Sequence, residues 1–303
     1  MAVLAGRTAG LLLPTREQAI SAGWDAAALL GTAARAEALG LDSVWAGDSL
    51  TARPRLEPLT LLAAVAARTR RIAVGTAALT AVLRPPVLGA ASVATLDRLA
   101  GGRLVLALGA GFPGAATEAE FAALGVPSER RLARLGTVVG AWRSAWLGAL
   151  GPEFPRPART TGPPLWLAGG GGSALRLTAR AFDGWLPYLP TPHDYRRAAR
   201  TLDDLVAAAG RASREVARGL YATVLVDGAP GEMDAWSRGY YGVPVEALAG
   251  VQAVVAGSLA ACTERLAAFA RAGARHLVLR VGSFATDRHL ETVAELARRW
   301  RAM

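Results

Sequence analysis

One alternation constrains the fold of this chain more than any other feature. Eight short apolar runs, at residues 10–13, 43–46, 72–76, 104–108, 165–168, 184–187, 220–226 and 277–281, have the length and composition of buried strands. Longer Ala/Leu/Arg-rich stretches with helical spacing lie between and after them, at 25–39, 58–69, 86–99, 130–147, 173–182, 192–209, 258–272 and 287–301. Gly40 and Gly273 close the first and seventh of these stretches, where a left-handed cap is wanted. Helix, glycine, then apolar strand is the signature of a βα unit. Eight such units in 303 residues predict an α/β fold of the (β/α)₈ TIM-barrel kind, with a doubly wound sheet as its competitor. No Pro/Ser-rich linker splits the chain, so residues 1–303 read as one domain. Two segments fit no unit, 112–129 after the fourth strand and 227–257 after the seventh. They are expected as insertions, and at strand C-terminal ends insertions line or cover a site.

Composition narrows the chemistry. The net charge is +10, yet all 34 basic residues are arginine and none is lysine. The arginines are scattered among carboxylates rather than gathered in a stripe, so no nucleic-acid partner is expected; a basic protein does suit an anionic small ligand. Without lysine there is no Schiff-base or pyridoxal-lysine chemistry. The single cysteine, Cys262, forms no internal disulfide and fits a reducing cytoplasm. His193, His276 and His289 are far apart, so a zinc enzyme is not expected. No apolar run approaches the roughly 18 residues of a membrane span, and the first residues carry no secretory pattern. A cytoplasmic protein with no membrane partner is the expectation. No carboxylate pair, Ser/His/Asp set or nucleophilic thiol stands out, which leaves the hard chemistry to a cofactor.

Four places at strand ends carry the candidate site. Gly109-Ala110-Gly111-Phe112-Pro113-Gly114 matches G-x-G-x-x-G, and Glu129 stands twenty residues on. A dinucleotide site needs that acid at the end of the next strand, however, and Glu129 opens a helix instead. What remains is a turn with little side-chain bulk, where a flat ring can approach. Ala168-Gly169-Gly170-Gly171-Gly172-Ser173 joins the fifth strand to its helix, with Ser173 the expected N-cap. Unhindered amides at a helix's positive end suit a phosphate; the plainer alternative is a flexible loop. Asp48 and Ser49 end the second strand, and Asp48 either meets a cofactor or caps the following segment. In the same loop Arg53 and Arg55 meet an anionic substrate or are solvated. The third strand ends Gly75-Thr76-Ala77-Ala78, small enough to admit a flat ligand or simply to pack. Arg280 on the last strand, with Trp185 or Tyr188 on the sixth, faces the pocket if the register holds.

Several stretches together resemble the bacterial-luciferase-like oxidoreductases: "LGLDSVWAGD", "EPLTLLAAVAARTRRIAVGTAALTAVLRPPVLGAASVATLDRLAGGRLVLALGAG", "GPPLWLAGGGGSALRLTARAFDGWLPY" and "GARHLVLRVG". "ATLDRLAGGRL" and "FDGWLP" are the most specific pieces. The resemblance implies a barrel binding FMN or the deazaflavin coenzyme F420 at the strand C-terminal face, for hydride transfer or oxygen activation. It implies a non-proline cis peptide at Ala77–Ala78. It matches Gly169, Gly170 and Gly171 to a phosphate-binding segment, flanked by Ala168 and Gly172, and Gly109 to Gly111 to a close-approach turn. Cofactor contacts are then expected at Asp48, Thr76, Ala77, Ala78, Gly109, Ala110, Gly111 and Ala168 through Gly172. Asp48 and Ser49 are the candidate catalytic residues; Arg53, Phe112 and Arg280 are the candidate substrate-binding ones. Two departures matter: Ser49 stands where many relatives carry histidine, and Phe112 where some dehydrogenases carry glutamate. They argue against sugar-phosphate dehydrogenation and for reduction of an activated C=C or C=N bond, or oxygenation, with water or Ser49 relaying protons. F420 is preferred over FMN because its acidic tail suits a basic rim. A small-molecule substrate and a homodimer are expected. The rival reading is a non-catalytic flavin-binding or partner-stabilising barrel.

Overall fold

The computed structural model describes residues 4–21 and 23–303. The apolar runs become parallel strands β1 (Thr8–Leu12), β2 (Ser43–Ala46), β3 (Ala73–Leu79), β4 (Leu104–Leu108), β5 (Leu165–Ala168), β6 (Gly184–Leu186), β7 (Ala217–Val226), β8 (Ala253–Gly257) and β9 (His276–Val281). Strands β1 to β7 pair in sequence order, β7 pairs with β9, and β9 returns to β1, so eight strands close a parallel barrel. The (β/α)₈ expectation holds and the open doubly wound sheet is excluded.

Strand β8 is a departure. It lies inside the 227–257 segment and pairs with residues 222–226 of β7. Lower down, the same edge of β7 is held by β6, through Gly184–Ala217 and Trp185–Arg218. The strand is five residues long and apolar throughout, Ala-Val-Val-Ala-Gly, but its last two residues are exposed because it adds to the outer edge of β7 rather than closing the barrel.

Among the described residues, twelve α-helices surround the sheet: α1 (Thr15–Ile20), α2 (Ala26–Ala38), α3 (Pro58–Arg68), α4 (Pro86–Leu99), α5 (Ala115–Ala123), α6 (Arg131–Ser144), α7 (Gly172–Ala181), α8 (Pro192–Ala208), α9 (Glu232–Tyr241), α10 (Val245–Ala249), α11 (Leu259–Arg271) and α12 (Leu290–Arg301). The expected eight are among them; α5 fills the first insertion, and α9 and α10 the second. Side chains cap several starts: Asp25 accepts from the Ala28 amide, Glu57 from Thr60, and Thr191 from Asp194. Ser173 does not cap α7, contrary to expectation. The helix begins one residue earlier with Gly171 at the cap, and Ser173 Oγ instead accepts from Arg176 Nη2 at 2.9 Å.

Strand alternation divides the core. Leu11, Val44, Val74, Leu106, Leu167 and Leu279 face the helices, whereas Leu12, Trp45, Val105, Trp166, Tyr221 and Val278 fill the barrel. Trp45 and Trp166 stack 5.7 Å apart across its interior. They fit because their neighbours lack side chains: a Cβ on Gly75 would lie 2.5 Å from the Trp45 ring, and one on Gly184 2.2 Å from Trp166. The barrel is therefore plugged, and a ligand must bind at an end.

The two most specific sequence pieces are scaffold. Arg103 donates to the carbonyls of Ile72 (2.7 Å) and Ala66 (2.9 Å), tying α3 to the sheet, while Asp97 accepts from the Ala158 amide at 2.9 Å. Asp183 accepts from the Leu165 amide and from Arg143, both at 2.9 Å.

Candidate active site

The mouth at the strand C-terminal ends has two unlike walls. On the side of β3 and β4 the side chains are methyls or nothing. The Ala77–Ala78 peptide is cis, as the resemblance implied, and the β3–β4 register shifts between Thr76 and Leu79. Thr76 is fully buried and donates to the Ala107 carbonyl at 2.9 Å, so its hydroxyl is committed to the sheet. The Gly109 amide donates to Leu79 O at 2.9 Å, and a Cβ there would sit 3.4 Å from the Ala78 methyl. Ala110 and Gly111 continue this low wall; a Cβ on Gly111 would meet Thr117 at 2.9 Å, where the first insertion packs.

Beside it lies the glycine loop from Ala168 to Gly172. Gly169, at φ +151°, is anchored by Trp185, whose Nε1 donates to its carbonyl at 2.7 Å. No side chain caps α7, and a Cβ on Gly171 would meet nothing within 4 Å. The first amides of α7 therefore remain free for an anion. Trp185 is thereby corrected as a pocket residue: it is fully buried in the helix layer, 5.1 Å from Tyr195. Of the two candidates on that strand, Tyr188 faces the mouth.

The opposite wall is aromatic and cationic. Tyr188 and Tyr221 stack at 4.5 Å. Arg280, only 5% exposed, lies 5.0 Å from the Tyr221 ring. Helix α9, from the second insertion, covers it with Trp236, Tyr240 and Tyr241 at 5.7, 4.5 and 5.4 Å from the guanidinium carbon. Arg280 Nη1 also donates to the Tyr241 hydroxyl. Burial pushes that phenol up to about 12, so it stays protonated. Arg53 lies over the Tyr241 ring at 5.3 Å, and Arg55 Nη2 donates to the Tyr240 hydroxyl at 3.4 Å. Glu17, 4% exposed on α1, accepts from Trp236 Nε1 at 3.2 Å. Burial pushes its carboxyl up, and the pull of Arg280 and Arg55 does not cancel this.

A wall bare of large side chains, uncapped helix amides and an aromatic, cationic wall lie at the strand C-terminal ends, and residues 8–251 match the family described as luciferase-like monooxygenase. The chain belongs to the luciferase-like monooxygenase family. An uncharacterized protein from Mycobacterium tuberculosis (strain ATCC 25618 / H37Rv) is 33% identical over 227 residues, covering 70% of this chain and 76% of that one. Among solved structures, an F420-dependent secondary alcohol dehydrogenase in complex with an F420-acetone adduct superposes with TM-score 0.75 at 17% identity, over 97% of this chain and 99% of that one. The oxygenating constituent of 3,6-diketocamphane monooxygenase from Pseudomonas putida, in complex with FMN, gives TM-score 0.75 at 16% identity, over 97% and 98%. These two likenesses are of the luciferase-like fold.

Asp48 and Ser49 are held by other protein groups. The Asp48 side chain, 1% exposed, accepts from Arg84 Nη1 at 2.8 Å and from the Thr80 amide at 2.9 Å. Arg84 reaches on to Glu57 at 2.6 Å. Ser49 donates to Glu120 on α5 at 3.0 Å and accepts from the Arg53 amide at 2.7 Å. Phe112 is 63% exposed and joins none of the contacts around Arg280. Sequence reasoning missed Glu17, Arg84, Glu120 and the α9 aromatics. Of these, "WSRGYY" showed a signal, since Trp236, Tyr240 and Tyr241 share one helix face.

Two other features lie elsewhere. A cavity of about 670 Å³, lined by Leu4, Arg159, Trp166 and His276 among others, opens at the N-terminal end of the barrel. That end serves stability in this fold, and functional groups gather at the other. Among the described residues, no helix is long and apolar enough to cross a membrane, and no cluster of His, Cys, Asp and Glu suits a metal.

Proposed function

We propose that this luciferase-like protein is an oxidoreductase that uses reduced coenzyme F420, with FMN as the alternative, on an activated C=C or C=N substrate or for oxygen activation. The observation that carries the reading is the pairing of a wall of methyls and bare backbone at Ala77, Ala78 and Gly109 with uncapped amides at Gly171 and Gly172. A flat ring fits the first and its phosphate the second. When bound, the cofactor supplies the hydride or the reducing equivalents. F420 is favoured because exposed Arg176 on α7 and Arg196 and Arg197 on α8 suit an acidic tail, and these two helices pack together.

The chain's own groups do the rest. Tyr188, Tyr221 and Arg280 bound the substrate's side of the mouth. Glu17, whose carboxyl is pushed up by burial, is on this reading the group on this wall that holds and moves a proton. Asp48 and Ser49 act on this reading as positioning residues for the loop after β2.

Titrating the purified protein with each cofactor and following the visible spectrum tests the proposal. F420 should bind more tightly than about 1 mM, or ~4 kcal/mol, and Gly171→Asp should weaken it by placing a carboxylate at the phosphate position. If neither cofactor binds that tightly, the reading fails. Ser49 and Phe112 favour the second reading, a non-catalytic cofactor-binding barrel; stopped-flow reoxidation with and without oxygen separates the two, since such a barrel neither protects nor turns over the reduced cofactor.

A further inference from the structure

We propose that the cationic wall is a substrate anchor and that the substrate is a flat carboxylic acid, its carboxylate held by Arg280 and its conjugated body stacked among the mouth tyrosines. The proposal rests on the reading above, in which the cofactor ring lies against the opposite wall.

Charge gives the first argument. Arg16, Arg53, Arg55 and Arg280 converge on Tyr240 and Tyr241, and Glu17 is the one carboxylate among them. Among the described residues, none of the four forms an ion pair; their side chains meet carbonyls, phenols and ring faces. Arg84 in the same mouth, by contrast, has two carboxylates. A buried guanidinium without a counter-charge is costly, and ring faces offset only part of that cost. This wall is electrically incomplete until an anion arrives.

Unmet hydrogen bonds give the second. Arg280 makes its one side-chain hydrogen bond through Nη1; its buried Nε has no partner, and neither has the buried hydroxyl of Tyr221 beside it. The free edge of Nε and Nη2 is the fork that holds a carboxylate through two parallel bonds. Geometry gives the third. The rings of Tyr221, Trp236 and Tyr240 lie at 5.0, 5.7 and 4.5 Å from the Arg280 guanidinium carbon, and Tyr188 packs on Tyr221, aromatic surroundings that favour a planar acid over a tetrahedral phosphate. A phosphate already has its place at the glycine loop. Helix α9 lies over Arg280 and is bounded by Gly231 (φ 77°) and Gly242 (φ 76°).

Calorimetric titration tests this with benzoate and cinnamate, with their uncharged amides, and with inorganic phosphate, on cofactor-free and cofactor-loaded protein. At least one acid should bind about tenfold or more tightly than its amide, with or without cofactor. Arg280→Gln should abolish that preference while the spectral titration of the cofactor is unchanged; Tyr221→Phe should weaken the acid less. If Arg280→Gln does not fold, Arg55→Gln serves, with a smaller loss. Four outcomes overturn the proposal: no acid binds, acid and amide bind alike, the folded variant keeps the preference, or phosphate displaces both the acid and the cofactor. Failure of both cofactors to bind would instead sink the proposed function, and acid binding to the cofactor-free protein would still be read separately.

Discussion

Ser49 Oγ donates to Glu120 Oε1 at 3.0 Å, joining the loop after β2 to the helix inserted after β4. The same oxygen accepts from the amides of Leu50 at 2.5 Å and Thr51 at 2.8 Å. One buried carboxylate thus organises a whole loop. Glu120→Ala should lower unfolding free energy by about 2–4 kcal/mol, because buried donors lose their acceptor, and Glu120→Gln by less; urea melts measure both. Ser49→Ala should cost about 1 kcal/mol and slow turnover less than about tenfold. A hundredfold loss with unchanged stability would make that hydroxyl a proton relay after all.

His276 gives a pH signature at the other end of the barrel. Its Nδ1 bonds Thr8 Oγ1 at 2.9 Å, and burial, helped by Arg275, lowers it from 6.5 to about 4. A group depressed in the folded state leaves stability intact above pH 6.5 and removes it as pH falls toward 4. The loss attributable to this ring should reach about 3 kcal/mol. Comparing melts at pH 7 and pH 4 for the wild type and His276→Gln isolates it, and the variant should show a correspondingly smaller acid loss.

Glu17 has the opposite sign. Its carboxyl is raised in the folded state, so its contribution is present below the unfolded value near 4.5 and is lost as pH rises through the folded one. Glu17→Gln should therefore gain stability relative to wild type as pH rises, while turnover falls by about a hundredfold or more. A turnover in Glu17→Gln equal to that of the wild type would remove Glu17 from the proton path.

Among the described residues, Arg84 is the sole cation paired with Asp48, at 2.8 Å, and the Asp48 side chain is 1% exposed. Arg84→Met should destabilise by about 3–5 kcal/mol, since it leaves a buried carboxylate unpaired. Adding Asp48→Asn should recover part of the loss; thermal melts of the two single variants and the pair give the coupling.

The barrel was legible because its strands alternate with covered helices, and apolar runs at Val74 or Leu106 admit no other use. Strand-end residues such as Ala77, Gly109 and Arg280 were legible for the same reason: a closed barrel presents strand ends at one mouth. The partners of the candidate residues were not. Arg84 lies 36 positions from Asp48 and Glu120 lies 71 from Ser49, and no periodicity links such pairs. The choice between Trp185 and Tyr188 was a matter of register, and pleating sent Trp185 outward. Strand β8 stayed hidden because its short apolar run, Ala253 to Gly257, lies at the end of the long 227–257 segment with no covering helix between it and β7 other than the short α9 and α10.

The edge of β7 changes partner partway along: Arg218 pairs with Trp185 of β6, and Ala222 pairs with Ala253 of β8. Eight strands close the barrel, and β8 adds a further strand along the upper end of β7. The addition is one-sided and begins one residue beyond Tyr221. Residues 227–257, which bring both β8 and α9, thus behave as an exchangeable cassette: swapping them between relatives would redraw the entrance and leave the closure of the barrel untouched.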